Sequence, residues 1–385
     1  ETDFSGYEGT DGSSKIVALF KGNKAVRKLS TGDDGAVILS STPFYAESGG
    51  QIGDTGSLIG KGWLFRVQDT QKSGKAIVHI GLVEKGELKI GDKLDATVDA
   101  ERRQAIRLNH SATHLMHAAL RAILGDHVQQ KGSLVAPDRL RFDFSHYEAV
   151  TDDQIVAIEA LVNDEIRNNV AAQTKVMDYD DAVASGAVAL FGEKYGDEVR
   201  VLNFGDFSVE LCGGTHVDRT GDIGMFKITS EGGIASGVRR VEAVTGKGAL
   251  EWLAAKQHTL ENIAELLRSQ PNQVSGKVEQ LLKRNKQLEK ELGQAKQALA
   301  MGSSSDYFDD VQEIDGIKVL ATRIDGADAK TLRDAVDRFK DKLQSAVIVL
   351  GSVDNGVVRI AAGVTKNNTD RIRAGDLIKP VAEQV

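Results

Sequence analysis

Short apolar runs alternate with turn-forming residues along the first 96 positions of the chain. The runs are separated by Gly, Asp and Ser and lie at Ile16–Phe20, Ala36–Leu39, Trp63–Val67, Ala76–Ile80 and Leu94–Val98. Short strands joined by regular turns are typical of a small closed sheet, so the pattern predicts a β-barrel over residues 1–96. Within the segment FYAESGGQIGDTG, the pair Gly49 and Gly50 indicates a tight corner of this barrel.

The hydrophobic period changes to that of a helix near residue 97. Apolar side chains recur at helical spacing at Ala105, Leu108, Ala112, Leu115, Ala119 and Ile123, and Gly125 marks the end. A second helix is predicted at Ile155–Asn168, with Thr151 or Asp152 as its cap. Strands are predicted at Leu140–Phe144, Val199–Phe204, Phe226–Thr229 and Val238–Val244. Because both kinds of element occur, we expect residues 97–246 to form an α+β core.

Leucines repeat at heptad spacing in residues 247–300. The repeat comprises Leu250, Leu253, Leu260, Leu267, Val274, Leu281, Leu288, Leu292 and Leu299, with Asn285 at a core position. Pro271 interrupts the repeat, so we expect a helical hairpin whose second helix is long and bent. An ordinary amphipathic helix would give a similar pattern.

The last part of the chain, residues 301–385, has the pattern of a small α/β domain. Its first ten residues, MGSSSDYFDD, have the composition of a linker. Strands are then predicted at Ile317–Arg323, Ser345–Leu350 and Val357–Gly363, with a helix at Ala329–Lys342. The sequence Asp-Asn-Gly at 354–356 predicts a hairpin between the last two strands. The fold class predicted for the whole chain is therefore multidomain α+β.

Composition and charge narrow the class of protein. The 385 residues include 41% hydrophobic residues, enough for several cores, but no apolar run is long enough to span a membrane. One cysteine excludes an internal disulfide framework and favours a cytoplasmic protein without a secretion signal. A net charge of −8 argues against a generally basic nucleic-acid surface, although local groups of arginine remain. The chain begins at Glu1, so we expect a processed protein or a piece of a longer one.

Four residues have the chemistry and spacing of metal ligands. His110 and His114 are four positions apart on the predicted helix, and Cys212 and His216 have the same spacing in LCGGTHV. Residues four apart share one face of a helix. The two glycines of the second segment also permit a sharp turn after a strand, on which His216 would then lie. Three imidazoles and one thiolate suit Zn²⁺, so we predict that the two pairs converge.

Other interpretations of these residues remain open. A metalloprotease of the H-E-x-x-H type is disfavoured, because Ser111 stands where its glutamate would be. Cys212 could act as a nucleophile with His216 as base, but that leaves the first histidine pair unexplained. Four protein ligands could also close a purely structural zinc site. His117 competes with His110, since it too shares a face with His114.

In this order, the motifs resemble a known family. HSATH, RFDF, LCGGTHV and GGIASGVRRVEAVTG resemble the editing half of bacterial alanyl-tRNA synthetases, and YAESGGQIGDTG resembles the barrel of the same family. The helical hairpin and the terminal α/β segment resemble its C-Ala region. The resemblance covers essentially the whole chain and implies a C-terminal fragment with the editing domain and most of C-Ala. The aminoacylation part and a Gly-rich C-terminal segment of the family are missing, so no aminoacylation is expected.

The resemblance implies an activity and assigns residues to it. The expected reaction is hydrolytic editing of tRNA(Ala) mischarged with serine or glycine, at a zinc ion. The implied ligands are His110, His114, Cys212 and His216, without His117, and Thr113 and Gln130 match positions that line the acyl pocket. The expected partners are tRNA(Ala) and a second copy of the chain through the C-terminal region, with no membrane.

An acidic chain must meet tRNA through local positive groups. The predicted contacts are Arg102, Arg103 and Arg107 before the histidines, Arg239 and Arg240 on a strand, and Arg371 and Arg373 near the end. A second hypothesis from another class is a zinc-stabilised module that binds tRNA or oligomerises without catalysis. A phosphoesterase of the DHH type is disfavoured, because the chain has no Asp-His-His motif.

Overall fold

The chain forms two compact units, Glu1–His258 and Thr259–Val385. The computed structural model describes residues 1–189, 196–324, 326–354 and 356–383, and their side chains except at 296–306 and 354. Within this part of the chain, no helix is both long and apolar enough to cross a membrane. The mixed α+β class is confirmed. The finer division into domains at residues 96, 246 and 300 stays a prediction.

The first 98 residues contain eleven strands, six of which close into a barrel. Strands β1–β11 run over Asp3–Phe4, Asp11–Lys21, Lys24–Val26, Lys28–Ser30, Asp34–Leu39, Ser41–Thr42, Gly56–Gly60, Trp63–Ser73, Ala76–Lys85, Glu87–Lys89 and Lys93–Val98. The antiparallel order β11-β7-β8-β9-β5-β2 closes where Ala96 of β11 faces Gly12 of β2. The predicted barrel is therefore confirmed.

Alternation along the strands explains why this sheet closes around a core. In β11, Leu94, Ala96 and Val98 are buried, while the intervening residues are exposed. A strand places successive side chains on opposite faces, so a strict alternation commits one face to the interior. Phe65 and Leu58 on neighbouring strands fill the same interior.

The rest of the first unit packs helices on two small antiparallel sheets. Helices α1–α3 run over Ala100–Leu124, Asp152–Asn168 and Tyr179–Ala184, and α4, Gly246–Leu266, begins in this unit and continues past its end at His258. Strands β12–β18 run over Gln130–Val135, Leu140–Ser145, Ala172–Asp178, Glu198–Phe204, Ser208–Leu211, Phe226–Ala235 and Val238–Thr245. The sheets have the orders β12-β13-β18-β17 and β14-β15-β16. Most predicted elements are found, and β17 continues six residues beyond the predicted end at Thr229.

Helix α1 begins and ends at capping residues that the sequence indicates. Asp99 caps the start by accepting a hydrogen bond from the Arg102 amide, 3.0 Å away. Gly125 ends it with a φ of 115°, which favours glycine. Leu115 and Met116 are fully buried against Phe142 of β13 and Ile158 of α2. These contacts fix the rotation of α1, and therefore the direction in which its histidines point.

The second unit contains a small α/β domain. Helices α5–α7 run over Val274–Gly302, Ala329–Leu343 and Ala374–Ala382, and strands β19–β22 over Gln312–Ile314, Ile317–Arg323, Ala346–Asp354 and Val357–Val364. Strands β20 and β21 are parallel and joined through α6, whereas β21 and β22 pair as the predicted antiparallel hairpin. Asn355, in the predicted turn, lies outside the described residues.

One sequence prediction for the later part of the chain needs correction. Residues 303–310 form a 3₁₀ helix rather than an open linker, and Tyr307 and Phe308 pack against Phe339 with ring centroids 6.2 and 5.6 Å apart. Aromatic burial therefore outweighs the linker-like composition. The heptad leucines lie on helices interrupted at Pro271, and Leu250, Leu281 and Leu292 are exposed. The helical hairpin stays a prediction.

Candidate metal centre

The four predicted ligands converge in the first unit. His110 and His114 lie on α1, and Cys212 and His216 lie in the loop that follows β16. Their ligand atoms all lie within 4.8 Å of one another, and all four side chains are buried. This buried cluster of three histidines and one cysteine has the composition of a site that could hold a metal ion.

Each imidazole is held through one nitrogen, which leaves the other for the cluster. Nδ1 of His110 lies 2.7 Å from Gln51 Oε1, and Nδ1 of His114 lies 2.7 Å from Glu210 Oε2. Nδ1 of His216 lies 3.4 Å from Ser111 Oγ. The Nε2 atoms of His110 and His216 lie 3.5 and 3.2 Å from Cys212 Sγ. Metal-binding histidines typically have their second nitrogen fixed in this way, because it sets tautomer and orientation.

One buried nitrogen of the cluster lacks a partner, which tests the fit of a metal ion directly. Within the described part of the chain, His114 Nε2 is buried and makes no hydrogen bond. An unsatisfied buried polar atom is costly unless something else coordinates it. A cation bound by the cluster would satisfy this nitrogen, so the residues fit the group that the sequence predicts.

The loop that carries Cys212 and His216 is not helical, and the close packing around Gly214 requires glycine there. A Cβ atom on Gly214 would lie 2.1 Å from His110 Cε1 and 2.9 Å from Gln51 Oε1. Any side chain at this position would therefore displace a candidate ligand. The spacing of four residues brings Cys212 and His216 together across a turn, rather than along a helix face.

Side chains from elsewhere in the unit hold the carbonyls of this loop. Arg200 Nη1 donates to the carbonyls of Cys212 and Gly214 at 3.1 and 3.0 Å, and the Tyr7 hydroxyl donates to Gly213 at 2.6 Å. The guanidinium of Arg200 also lies over the Tyr7 ring, 4.2 Å from its centroid. On the other side, Arg107 Nε donates to the His216 carbonyl. The loop is thus fixed before any metal binds.

Electrostatics within the cluster favour a thiolate. Burial raises the pKa of the Cys212 thiol, but the adjacent imidazoles, His110 foremost, lower it well below its usual value. Burial lowers the pKa of His114, yet the nearby Glu210 carboxylate and Cys212 outweigh burial and raise it to about 10. The pKa of His216 falls to about 3, chiefly through burial. The thiolate is the form of cysteine that binds metals.

Glu210 settles the competition between His110 and His117. Its carboxylate contacts His114 Nδ1 at 2.7 Å and His117 Nδ1 at 2.9 Å. Burial raises the pKa of Glu210, but His117 and His114 outweigh it and lower the pKa to about 2. His117 therefore supports the carboxylate that orients His114, while His110 faces Cys212.

Two cavities border the cluster. The larger has a volume of about 630 Å³ and meets the cluster at His110 and Cys212. The smaller, of about 350 Å³, meets it at His216 beside Arg107. Tyr7 and Arg200 contribute to the walls of both. A small molecule in the larger cavity would thus have direct access to two of the four candidate ligands.

The two predicted pocket residues lie apart from these cavities. Thr113 is buried on α1 and its hydroxyl donates to the Asn109 carbonyl at 2.8 Å. It lines neither of the two cavities that border the cluster in the described part of the chain. Gln130 lines a separate cavity of about 350 Å³ together with His117. Their assignment to an acyl pocket stays a prediction.

The predicted tRNA-contacting arginines have different environments. Arg103 is 3% exposed, forms an ion pair with Asp54 and donates to the Gly6 and Pro43 carbonyls, so in this fold it is a structural residue. Arg239 and Arg240 form ion pairs with Glu231 and Asp143. The other four sites are half-buried or exposed: Arg102 donates to Gly53, Arg107 pairs with Asp218, and Arg371 and Arg373 are exposed in the second unit.

Sequence reasoning missed four residues that support the cluster: Gln51, Glu210, Tyr7 and Arg200. Glu210 could have been found, because it is a charged residue in the apolar strand SVEL and lies two positions before Cys212. Gln51 lies in the GGQIG segment, which was interpreted only as a barrel corner. Nothing in the local sequence around Tyr7 or Arg200 indicates their contacts with the loop.

Comparison with known proteins agrees with this architecture. Residues 1–102 match the family described as tRNA synthetases class II (A), and residues 199–242 match the threonyl and alanyl tRNA synthetase second additional domain. The second match contains Glu210, Cys212 and His216. These two segments are therefore similar to parts of class II aminoacyl-tRNA synthetases.

Relatives that match the whole chain indicate a more specific similarity than the two family models do. Alanine–tRNA ligases of Nitrosococcus oceani, Shewanella loihica and Halorhodospira halophila are 54, 52 and 52% identical over the whole of this chain. The chain spans 44% of the length of each of these relatives. By sequence, it is a homologue of part of alanine–tRNA ligase.

Proposed function

We propose that the chain hydrolyses the ester bond of tRNA(Ala) mischarged with serine or glycine, at a zinc site formed by His110, His114, Cys212 and His216. The observation that carries the proposal is the buried cluster of these residues at the wall of a 630 Å³ cavity. Homology to part of alanine–tRNA ligase supports tRNA as the substrate, because a ligase of that name acts on tRNA. The family match over residues 199–242 includes half of the cluster.

The chain's own residues suit such a reaction. An aminoacyl ester is already activated, so its hydrolysis needs a positioned water and stabilisation of developing charge more than a strong nucleophile. When bound, zinc would supply Lewis-acid polarisation at this point of the cavity. Gln51, Glu210 and Ser111 fix the three imidazoles, and Arg200 and Tyr7 fix the loop that carries the thiolate.

Selectivity must come from polar contacts. Serine and alanine differ by one hydroxyl, and size alone separates such substrates poorly. A pocket that hydrogen-bonds the hydroxyl rejects alanine, because alanine leaves the polar group unpaired. The family resemblance assigns such contacts to Thr113 and Gln130, although Thr113 lines neither cavity at the cluster among the described residues and Gln130 lines a separate cavity.

The test is single-turnover deacylation by the full chain with measured zinc content. We expect hydrolysis of serine-charged tRNA(Ala) to be faster than hydrolysis of alanine-charged tRNA(Ala), with one zinc ion per chain. Protein that contains stoichiometric zinc and hydrolyses neither ester faster than buffer would overturn the proposal.

A second candidate function is supported by a different observation. Six of the heptad leucines of α4 and α5 are between 41 and 59% exposed, namely Leu250, Leu253, Leu260, Leu281, Leu288 and Leu292. Apolar residues exposed in a row typically mark an interaction surface. This observation favours a module that associates with a second copy and binds tRNA without catalysis. Sedimentation of the chain, together with the deacylation assay, separates the two functions.

A further inference from the structure

A second pair of histidines lies at the surface of the first unit, on segments that carry none of the four candidate ligands. His127 follows the end of α1, and His146 follows the end of β13. Nε2 of His127 lies 2.8 Å from Nδ1 of His146, and the two rings are stacked with centroids 5.1 Å apart. His127 is exposed and His146 is half-buried, so solvent reaches the pair. The proposed function uses neither residue.

Hydrogen bonds to the backbone hold both histidines in place. The Ser145 hydroxyl donates to the His127 carbonyl at 2.7 Å. The amide of His146 donates to the carbonyl of Gly237, in the hairpin between β17 and β18, at 3.0 Å. The ring of His146 also packs on the buried ring of Phe144, with centroids 6.3 Å apart. Because the two residues are already side by side, less conformational freedom is lost when both rings bind one ligand.

The distance between the facing nitrogens indicates what can bind them. Two imidazole lone pairs 2.8 Å apart repel each other unless one nitrogen carries a proton or a cation binds both. Two metal–nitrogen bonds of about 2.1 Å place their nitrogens about 3.0 Å apart at a right angle and about 3.4 Å apart at a tetrahedral angle. The observed separation is nearer to the right-angle value, which Cu²⁺ and Ni²⁺ prefer and tetrahedral zinc does not.

The charges around the pair are compatible with a bound cation. Burial lowers the pKa of His146 and His127 lowers it further, so the His146 ring is neutral at neutral pH, as a metal ligand must be. The Glu148 carboxylate acts on the same ring and opposes the shift. Arg239 also lowers this pKa, but its guanidinium is paired with Glu231 at 2.6 Å. The positive charge nearest the pair is therefore largely compensated.

We propose that His127 and His146 form a second metal site, which chelates a divalent ion of the nickel or copper type through His127 Nε2 and His146 Nδ1. Water completes the coordination, because solvent reaches both rings. The proton between the two nitrogens moves to the outer nitrogen of its own ring when the ion binds, so both rings stay neutral. The site differs in chemistry from the cluster, whose thiolate and three imidazoles suit tetrahedral zinc. It is independent of the proposed function, since it involves neither the cluster nor tRNA.

The test is a calorimetric titration of Ni²⁺ into the full chain after equilibration with zinc and desalting. Wild type should bind one nickel ion per chain without losing zinc, as measured by elemental analysis before and after the titration. His127→Gln and His146→Gln should each weaken nickel binding by more than the roughly tenfold that is typical for loss of a residue that only orients a ligand. His258→Gln removes another exposed histidine, on α4, and should leave nickel binding unchanged.

Absorption spectra recorded during the titration separate the pair from the cluster. Nickel bound to imidazole and water has only weak visible bands, whereas nickel bound to the Cys212 thiolate adds strong charge-transfer absorption. We expect only the weak bands in wild type. We also expect them to disappear, together with the calorimetric signal, in the double variant His127→Gln with His146→Gln.

Three results would overturn the second site. One is equal nickel affinity in wild type and the double variant. Another is thiolate charge transfer with loss of zinc, because nickel would then occupy the cluster. The third is an effect of only one of the two single substitutions, because chelation needs both rings. Nickel binding that depends on both histidines in a chain that does not deacylate serine-charged tRNA(Ala) would support the second site and overturn only the proposed function.

Discussion

The barrel and the cluster both contain buried histidines, but the ring nitrogens of these histidines are hydrogen-bonded differently in the two regions. In the barrel, His79 is fully buried and both ring nitrogens are satisfied, by Thr42 Oγ1 at 2.7 Å and the Val37 carbonyl at 2.9 Å. In the cluster, each ring has one nitrogen held by a neighbour and directs the other toward Cys212 or leaves it unpaired. Burial alone therefore does not identify a ligand; the environment of the second nitrogen does.

The charges of the two regions differ for the same reason. Burial lowers the pKa of His79 to about 4, and a backbone carbonyl opposes this only partly. His114 is equally buried, but Glu210 and Cys212 raise its pKa to about 10. A buried imidazole thus stays neutral where only dipoles surround it and gains charge where anions do. The anions that raise the pKa of His114 would also attract a metal cation, which takes the place of the ring proton when it binds.

Removing the Cys212 thiolate should lower zinc affinity more than any of the other substitutions considered below. We expect Cys212→Ala to lower zinc affinity by roughly 10²–10³-fold, because a four-ligand site binds with about 10–16 kcal/mol and loses one ligand. His79→Gln, which alters a buried histidine outside the cluster, should leave zinc affinity unchanged. Competition with a chromophoric chelator measures both.

Activity provides the second readout for this pair of variants. Deacylation of serine-charged tRNA(Ala) should fall with zinc occupancy in Cys212→Ala and persist in His79→Gln. Full activity with stoichiometric zinc in Cys212→Ala would show that the thiolate is neither a ligand nor a nucleophile.

Acid should destabilise the barrel through His79. The pKa of His79 is about 4 in the folded chain and about 6.5 in the unfolded chain. Between about pH 6.5 and about pH 4, His79 therefore binds a proton in the unfolded state but not in the folded state. Stability is therefore fully present above about pH 6.5 and is lost as pH falls toward 4, by up to about 3 kcal/mol for this group. His79→Gln should remove that part of the pH dependence. Trp63 fluorescence in a Trp252→Phe background measures barrel unfolding in urea at each pH.

Replacing Glu210, whose carboxylate orients His114, should lower zinc affinity less than replacing a candidate ligand. Glu210→Gln keeps the shape but replaces one acceptor oxygen by a donor amide, so it cannot accept hydrogen bonds from both His114 and His117. Residues that orient metal ligands typically contribute about 10–100-fold to affinity, and we expect a loss in this range. Glu242→Gln, on strand β18 of the other small sheet, is the control. Unchanged zinc affinity in Glu210→Gln would mean that packing alone orients His114.

Local patterns predicted much of this fold and the convergence of the four candidate ligands. Strand alternation in residues such as Leu94, Ala96 and Val98 indicated the barrel, and ligand type and spacing indicated the cluster. Both signals are local, because alternation sets a face and ligand chemistry is restricted to few side chains. The choice of His110 over His117 needed the rotation of α1, which depends on packing against β13 and α2.

Contacts between distant segments could not be predicted. Arg103 looked like one of three surface arginines, but it is buried with Asp54, 49 positions away. Tyr7 and Gly213 are 206 positions apart, yet joined by a hydrogen bond. Similarly, Tyr307 and Phe308 appeared to belong to a linker until their packing on Phe339 was known. Each depends on tertiary proximity, which one sequence does not encode as a local pattern.

The smallest expected effect concerns substrate choice rather than the metal. The Thr113 hydroxyl donates to the Asn109 carbonyl, which leaves its oxygen able to accept a hydrogen bond. Thr113→Val keeps the shape and removes this group, so we expect the ratio of serine to alanine ester hydrolysis to change by roughly tenfold. Thr113→Ser retains the hydroxyl and should retain the ratio, while both variants keep the four ligands. Because the two esters are compared on the same protein, a general loss of zinc cancels. An identical ratio in wild type and Thr113→Val would assign the discrimination to groups on the cavity wall instead.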